Sequence, residues 1–168
     1  ANHLDGVDID WEDNGAMEAG KGEAWLISFQ TELRSLLPNH TITHAPQGLT
    51  SVNNSQEGAY ITVHQKVGST IDFYNIQFYN QVDTTYDTYE RLFIKSVGFF
   101  NKTSVKEINE RGIPLEMLVV GKPATPADAS NTGYMNKTAL GNAVTRAVQE
   151  TSWRAGVMFW QFYSDSNG

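Results

Sequence analysis

Leu4-Asp5-Gly6-Val7-Asp8-Ile9-Asp10-Trp11-Glu12 interleaves four carboxylates with apolar side chains. Apolar residues of β-branched and aromatic type at every second position are typical of a β-strand. On a strand, Asp8, Asp10 and Glu12 project to one face, each roughly 6–7 Å from the next. Because crowded carboxylates repel, we expect at least one of the three to hold a proton near neutral pH. A carboxylic acid that stays protonated near neutrality serves general acid catalysis, so the row predicts a catalytic site.

A metal site and an exposed edge strand are the alternative interpretations of the acidic row. Calcium loops of the EF-hand type are polar, Gly-containing turns that end in a bidentate Glu, whereas apolar residues separate the acids here. A charged edge strand accounts for one or two acids, but not for three on one face backed by Val7, Ile9 and Trp11. We therefore prefer the catalytic interpretation and expect neither a metal nor another cofactor.

The composition is that of an ordinary globular domain. The chain has 168 residues, 40% of them hydrophobic, with a formal net charge of −7. Lys and Arg are scattered singly, so neither a nucleic acid nor an anionic membrane is an expected partner. No stretch approaches the ~18 consecutive apolar residues of a transmembrane helix. The chain opens inside a motif, so we expect further sequence before it.

The chain contains no cysteine, which excludes disulfides and thiolate metal sites. Sequons of the N-x-S/T type begin at Asn39, Asn53, Asn101 and Asn136. They are compatible with a secreted glycoprotein.

Apolar periodicity predicts strands and helices in alternation along the rest of the chain. Strands are predicted at 41–47, 71–80, 114–121 and 155–162, helices at 23–37, 93–102 and 137–149, a helical turn at 60–67 and a short helical piece ending at Gly112. The segment 71–80 is nearly apolar on both sides, as parallel sheets require. No Gly-rich phosphate loop opens a helix, which disfavours a dinucleotide-binding fold.

Four strand–loop–helix units predict an α/β fold with helices outside a parallel sheet, which is about half of a (β/α)8 TIM barrel of ~250 residues. An isolated half barrel exposes two sheet edges and an apolar inner face. We therefore expect residues 1–168 to be the C-terminal part of a single TIM-barrel catalytic domain, covering about strands 4 to 8. The N-terminal half of the barrel is expected in the complete protein.

Active sites of such barrels lie at the carboxyl ends of the strands. The candidate residues there are Asp8, Asp10, Glu12, Ala45, Pro46, Gln47, Gln77, Tyr79, Asn80, Lys122, Trp160 and Gln161. Burying an amide without a hydrogen-bond partner costs about 1–3 kcal/mol, so Gln47 and Gln77 are energetically unfavourable as core residues. Tyr79 or Trp160, taken alone, is more typical of a core residue than of a site residue, and only the accompanying acidic motif favours the site. The histidines have no companion pattern, and we expect His44 to be structural.

Four motifs in this order resemble those of family 18 glycoside hydrolases, the chitinases and their relatives. Asp5-Gly6-Val7-Asp8-Ile9-Asp10-Trp11-Glu12 resembles their D-G-x-D-x-D-x-E signature, which lies on the fourth barrel strand. Ala45-Pro46-Gln47 and Ile76-Gln77-Phe78-Tyr79-Asn80 resemble the A-P-Q and Q-F-Y-N of strands five and six in the class III plant and fungal branch. Gly156-Val157-Met158-Phe159-Trp160 resembles the G-V-M-x-W of strand eight.

The resemblance implies a chitinase that cleaves β-1,4 linkages between N-acetylglucosamine units by a substrate-assisted, retaining mechanism. Glu12 is then the general acid. Asp10 orients the acetamido group of the substrate, whose carbonyl oxygen attacks the anomeric carbon to form an oxazolinium ion. Asp8 is expected to share a proton with Asp10, and Tyr79 to donate its hydroxyl to the acetamido oxygen.

The same resemblance assigns the substrate-binding residues. Trp160 is expected to form an apolar floor under the sugar. Gln47, Gln77 and Asn80 are expected to hold sugar hydroxyls and the acetyl group. Ala45 and Met158 complete the predicted substrate site. Chitin or oligosaccharides of N-acetylglucosamine are the implied partners, and the extracellular space is the expected location.

Two other functions remain open. An endo-β-N-acetylglucosaminidase acting on N-glycan cores uses the same residues. Barrels of this family that act as lectins, storage proteins or inhibitors usually lack the acidic Glu, an Asp of the row or the Tyr, whereas Glu12, Asp10 and Tyr79 are all present. Plant members of the branch carry disulfides, so the absence of cysteine favours a microbial relative, such as a fungal one.

Overall fold

The computed structural model describes residues 3–47 and 59–165. The described strands are β1 (Gly6–Ile9), β2 (Thr41–His44), β3 (Phe73–Gln77), β4 (Leu118–Pro123) and β5 (Val157–Trp160). They form one five-stranded sheet in the order β1-β2-β3-β4-β5, and every neighbouring pair is parallel. Parallel strands in sequential order form a strip of barrel wall, so the predicted half barrel is confirmed.

The helices connect these strands and cover one face of the sheet. Their bounds are α1 (Asn14–Glu18), α2 (Gly22–Leu36), α3 (Ala59–Val67), α4 (Val105–Asn109), α5 (Lys137–Glu150) and α6 (Phe162–Asp165). Asn136 caps α5, because its side chain accepts a hydrogen bond from the backbone N–H of Ala139 at 2.8 Å. Ser104 and Glu107 form a capping box at the start of α4. These caps satisfy backbone donors that a helix leaves unpaired.

The hydrophobic core lies between the sheet and the helices. Tyr74, Ile76 and Phe78 point outward from the β3 segment into this core. Alternation along a strand sends Asn75, Gln77 and Tyr79 to the opposite, inner face. The strand period therefore separates packing residues from site residues.

The structure differs from several of the predicted elements. The helix predicted at 93–102 is wrong: a π-helical turn spans Glu90–Ile94, and the chain is not helical again until α4. Gly98 and Lys102 have positive φ angles of 99° and 62°, which a helix cannot accommodate. The helical turn at 60–67 is a full helix, and all four strands predicted at 41–47, 71–80, 114–121 and 155–162 are shorter than predicted. A 3-10 turn at Leu115–Met117 precedes β4, and α6 begins at Phe162.

Apolar side chains are exposed at the two edges of the sheet. Leu4 and Val7 are exposed at the β1 edge, and Phe159 and Phe162 at the β5 end. Such exposure is expected where both edge strands have their neighbours in the other half of a barrel. Among the residues described, no helix is both long and apolar enough to span a membrane. Residues 48–58, with the sequon at Asn53, lie outside the described residues.

Candidate active site

Only the first part of the acidic row belongs to β1. The strand ends at Ile9, so Asp8 lies within it and Asp10 and Glu12 lie beyond it. Asp8 is held by two neighbours on the inner face: Thr43 donates its hydroxyl to Oδ1 at 2.6 Å, and Asn75 donates its amide to Oδ2 at 3.1 Å. Asp8 is therefore anchored deeper in the half barrel than the other two acids.

Gln77 joins the remaining two acids. Its amide nitrogen lies 3.0 Å from Oδ1 of Asp10 and 2.9 Å from Oε1 of Glu12. The same nitrogen lies 2.8 Å from the carbonyl oxygen of Ala45. Gln77 is buried, with 5% of its surface exposed. The structure thus gives Gln77 a role in orienting the acids, while its contact with a sugar stays a prediction.

The carboxyl groups of Asp10 and Glu12 also interact with each other, and a hydrogen bond between two carboxyl groups requires a proton on one of them. Burial, the charge of Glu12, the hydrogen bond to Glu12 and the charge of Asp8 together raise the pKa of Asp10 to about 6, while the bond from Gln77 opposes the rise. One member of the row therefore titrates near neutrality, as the crowding predicts.

The partner that shares the proton is not the predicted one. We expected Asp8 to share it with Asp10, but Asp8 is bonded to Thr43 and Asn75, and the carboxyl group bonded to Asp10 is that of Glu12. The prediction assumed strand geometry through Glu12. Because the strand ends at Ile9, the regular spacing is lost after it and the last two acids come into contact.

A cavity of about 450 Å³ lies over this acid pair. Its lining residues come from the ends of β1, β2, β3 and β5 and from the loop after β4: Asp10, Glu12, Gln47, Gln77, Tyr79, Asn80, Ser130, Asn131 and Trp160. The volume is within the ~300–1,000 Å³ typical of small-molecule sites. The polar lining fits a ligand rich in hydroxyl and amide groups.

Three residues that were given a catalytic or substrate-binding role do not line the cavity, and neither do the strand-end candidates Pro46, Lys122 and Gln161. Asp8 lies below it, and Ala45 is buried and contributes its carbonyl oxygen to Gln77. Met158 is half-buried on the inner face beside Gly121, where a Cβ atom would come 2.8 Å from its Cε. Lys122, considered as a strand-end candidate, points instead to the outer face, where it is fully buried.

Tyr79 presents its phenol to the cavity from the segment after β3. Burial raises the pKa of Tyr79, and the charges of Asp10, Glu12 and Asp8 act in the same direction. The hydroxyl therefore stays protonated and remains a hydrogen-bond donor throughout the range in which proteins are stable. Trp160 is 46% exposed and contributes an apolar surface to the same cavity.

Asn80 is engaged by a loop that the sequence did not reveal. Its Oδ1 accepts hydrogen bonds from the backbone N–H groups of Ser130 at 2.8 Å and Asn131 at 3.3 Å. Its own N–H donates to the carbonyl of Thr132 at 2.9 Å. Only the amide nitrogen of Asn80 is left for the predicted sugar contact. Ser130 and Asn131 are cavity residues that we missed, since nothing in their own sequence marks them.

Asn75 was also missed, although a signal existed. Period two along β3 places Asn75 on the same face as Gln77 and Tyr79.

Gln47, from the segment after β2, accepts a hydrogen bond from the amide of Asn14 at 3.2 Å. This contact fixes Gln47 at the rim of the cavity, and leaves its amide nitrogen to face a ligand.

The histidines lie apart from the site. His44 is buried, and its Nε2 donates to Oε1 of Gln30 at 3.0 Å while its Nδ1 accepts from the hydroxyl of Tyr60 at 3.1 Å. Burial lowers the pKa of His44 to about 4, so the ring is neutral and structural, as expected. Across the described part of the chain, no cluster of three or more His, Cys, Asp or Glu is placed to hold a metal ion.

Comparison with solved structures identifies the same architecture. A GH18 chitinase from Pseudoalteromonas aurantia is 34% identical with a TM-score of 0.78, over 99% of this chain and 59% of that chain. A fungal endo-beta-N-acetylglucosaminidase from glycosyl hydrolase family 18 is 24% identical with a TM-score of 0.67, over 95% of this chain and 50% of that one. The xylanase and alpha-amylase inhibitor protein XAIP-II from Scadoxus multiflorus is 22% identical with a TM-score of 0.56, over 98% and 53%.

These similarities differ in what they show. The last two fall below 25% identity and show the fold alone. The chain spans 50% to 59% of the length of these three structures, in agreement with a partial barrel. No curated protein matches the chain significantly.

The family model for glycosyl hydrolases family 18 matches residues 1–167. The acidic motif, the cavity above it and the parallel half barrel are consistent with this match. The chain therefore belongs to glycosyl hydrolases family 18.

Proposed function

We propose that this chain is the C-terminal part of the catalytic barrel of a chitinase, which hydrolyses β-1,4 linkages between N-acetylglucosamine units with retention of configuration. The observation that carries the proposal is the hydrogen-bonded pair of Asp10 and Glu12, held by Gln77 at the base of a cavity that Tyr79 and Trp160 also line. An N-terminal half completes the barrel and the cleft.

The first step uses the proton of the acid pair. Glu12 transfers this proton to the glycosidic oxygen, and the bond between that oxygen and the anomeric carbon breaks. The acetamido carbonyl oxygen of the same sugar attacks the anomeric carbon from the opposite face, which forms an oxazolinium ion. Asp10, left as a carboxylate, accepts a hydrogen bond from the acetamido N–H and offsets its positive charge.

The second step reverses these roles. Glu12, now a carboxylate, takes a proton from a water molecule, whose oxygen attacks the anomeric carbon and opens the oxazolinium ring. Two inversions give net retention. The Tyr79 hydroxyl, which burial keeps protonated by raising its pKa, donates to the acetamido oxygen and holds it in line for attack.

Trp160 and the amides bind the sugar. The exposed indole of Trp160 supplies an apolar surface for the flat face of a pyranose ring. The free amide nitrogens of Gln47 and Asn80 face hydroxyl or acetyl oxygens. A polymeric substrate favours action outside the cell, and the sequons at Asn39 and Asn136, whose side chains are exposed, are compatible with glycosylation there.

Cleavage in the chitobiose core of N-glycans, with the same acid pair, is the alternative activity. The 34% identity to a chitinase favours chitin-type substrates over this alternative. A non-catalytic lectin or inhibitor is disfavoured because the Asp10–Glu12 pair and Tyr79 line one cavity.

The test is the Glu12→Gln variant of the complete enzyme. It should lose about 10²–10⁴-fold in kcat on chitin oligosaccharides, since the general acid is gone, while calorimetry still detects oligosaccharide binding. Glu32→Gln, an exposed change on α2, is the matched control and should leave kcat unchanged. Substantial hydrolysis by Glu12→Gln would remove Glu12 from its assigned role.

A further inference from the structure

Lys122 is a buried cation on the outer face of β4 that binds backbone groups. None of its surface is exposed. Its Nζ donates to the carbonyl oxygens of Phe78 at 2.9 Å, Tyr86 at 2.8 Å and Gly133 at 2.9 Å. An ammonium group has three N–H bonds, so these three acceptors satisfy it completely. The ion pairs found among the described residues do not include Lys122.

Packing alone does not require an ammonium group at this position. Leu118 and Val120, on the same face of β4, belong to the hydrophobic core, and a residue such as Met would fill the space without the cost of burying a charge. Burial lowers the pKa of Lys122 to about 7, while three carbonyl acceptors favour the protonated form. What the ammonium group adds is a connection between three backbone segments.

Two of these segments form the wall of the cavity. Phe78 directly precedes Tyr79, and Gly133 follows the residues 130–132 that bind Asn80. The segments touch, because a Cβ atom on Gly133 would lie 2.4 Å from Cα of Tyr79. Lys122 therefore holds the two segments at the place where they meet.

We propose that Lys122 is a positioning residue: by binding the carbonyls of Phe78 and Gly133, it fixes Tyr79 and the wall formed by Ser130 and Asn131 relative to Asp10 and Glu12. Lys122 acts from behind the sheet and does not touch the substrate. The inference rests on the proposed function, because it assumes that Tyr79 orients the acetamido group. A displacement of about 1 Å in such a group can cost about 10²-fold in rate.

The kinetic test is a double-mutant cycle in the complete enzyme. Lys122→Met should lower kcat about 10–100-fold, with KM changed by less than about threefold, because the binding groups remain while Tyr79 is misplaced. In the Tyr79→Phe background the same substitution should cost less than about threefold, since the hydroxyl that it positions is already absent. Lys66→Met, an exposed change on α3, is the control. An equal loss in both backgrounds, or no loss in either, would overturn the proposal.

A second readout does not depend on activity. In Lys122→Met, the backbone amides of Asn80, Ser130 and Asn131 should exchange hydrogen at least about tenfold faster, while the amides that pair β1 with β2 keep their rates. A uniform increase across the chain would mean that Lys122 only stabilises the fold, which contradicts the proposal. Should Lys122→Met not fold, Lys122→Arg keeps the charge but presents a planar group, and the same local increase is expected.

The two readouts separate this inference from the proposed function. A wild-type enzyme that cleaves no N-acetylglucosamine oligosaccharide would contradict the proposed function. The exchange pattern would still show whether Lys122 holds the Tyr79 and Ser130 segments together.

Discussion

Gln77 donates its amide to Glu12, with 2.9 Å between Nε2 and Oε1. The same nitrogen reaches Asp10 at 3.0 Å, so one side chain from β3 fixes the relative positions of the two acids that follow β1. Since Gln77 is buried and its backbone belongs to a central strand, this arrangement is preorganised before a ligand binds.

Gln77→Met should therefore impair chemistry more than binding. We expect kcat to fall about 10–100-fold, because the acid pair loses its donor. The bond from Gln77 lowers the pKa of Asp10, so its loss should also move the alkaline limb of the kcat/KM profile to higher pH. Gln65→Met, exposed on α3, is the control. An unchanged rate and pH profile would contradict the orienting role.

The pKa at which the acid pair loses its proton predicts how the activity of the wild-type enzyme depends on pH. The raised pKa of Asp10, about 6, describes the loss of the last proton of the pair, so kcat/KM should fall above about pH 6. Because kcat/KM reports the free enzyme, this limb is measured with soluble oligosaccharide well below KM.

Asp8→Asn tests the electrostatic part of this prediction. The charge of Asp8 raises the pKa of Asp10, so removing it should shift the alkaline limb to lower pH. Glu110→Gln removes a charge from an exposed ion pair with Lys106 on α4 and should leave the limb in place. A shift to higher pH in Asp8→Asn would show that the charge of Asp8 does not act on the pair.

Tyr79→Phe should separate catalysis from affinity. The hydroxyl is expected to act on the acetamido oxygen during attack, so its loss should lower kcat about 10²–10³-fold while binding of oligosaccharides changes little. Tyr134→Phe, outside the cavity, is the control. Equal losses in kcat and in affinity would indicate that Tyr79 only binds the sugar.

The lowered pKa of His44 predicts how the stability of the fold changes with pH. Burial lowers its pKa from 6.5 to about 4 in the folded chain, so between these values the unfolded chain takes up the proton first. Stability should therefore decrease as the pH falls through this range, by about 3 kcal/mol in total. His44→Asn should remove this component, whereas His40→Asn, exposed in a turn, should not. Thermal unfolding between pH 7 and pH 4 measures both.

The sequence predicted the fold wherever one local pattern sufficed. Alternation along β1 and β3 and the helical period over 23–37 and 137–149 each correspond to elements that the structure contains. The helix at 93–102 failed because Val97 and Phe99 are exposed rather than packed, and because Gly98 has a positive φ angle. The side chain of Ser96 donates instead to the carbonyl of Phe100 within this loop. Local periodicity does not reveal such a loop.

The sequence predicted which residues line the candidate site better than it predicted the hydrogen bonds between them. Glu12, Gln77, Tyr79 and Trp160 line one cavity, because strand ends meet at one edge of a parallel sheet. Which carboxyl pairs with Asp10 depends on where β1 ends, and a strand boundary is uncertain by a few residues in any sequence. The contact between Asn80 and Ser130 joins positions fifty residues apart, which no local pattern encodes.

The most direct measurement is the anomeric configuration of the first product. Proton NMR of a chitin tetrasaccharide during the first minutes of reaction with the complete enzyme observes the new reducing end before it mutarotates. Attack by the acetamido oxygen, assisted by Glu12, Asp10 and Tyr79, predicts that the β-anomer is released first. Initial release of the α-anomer would contradict the substrate-assisted mechanism.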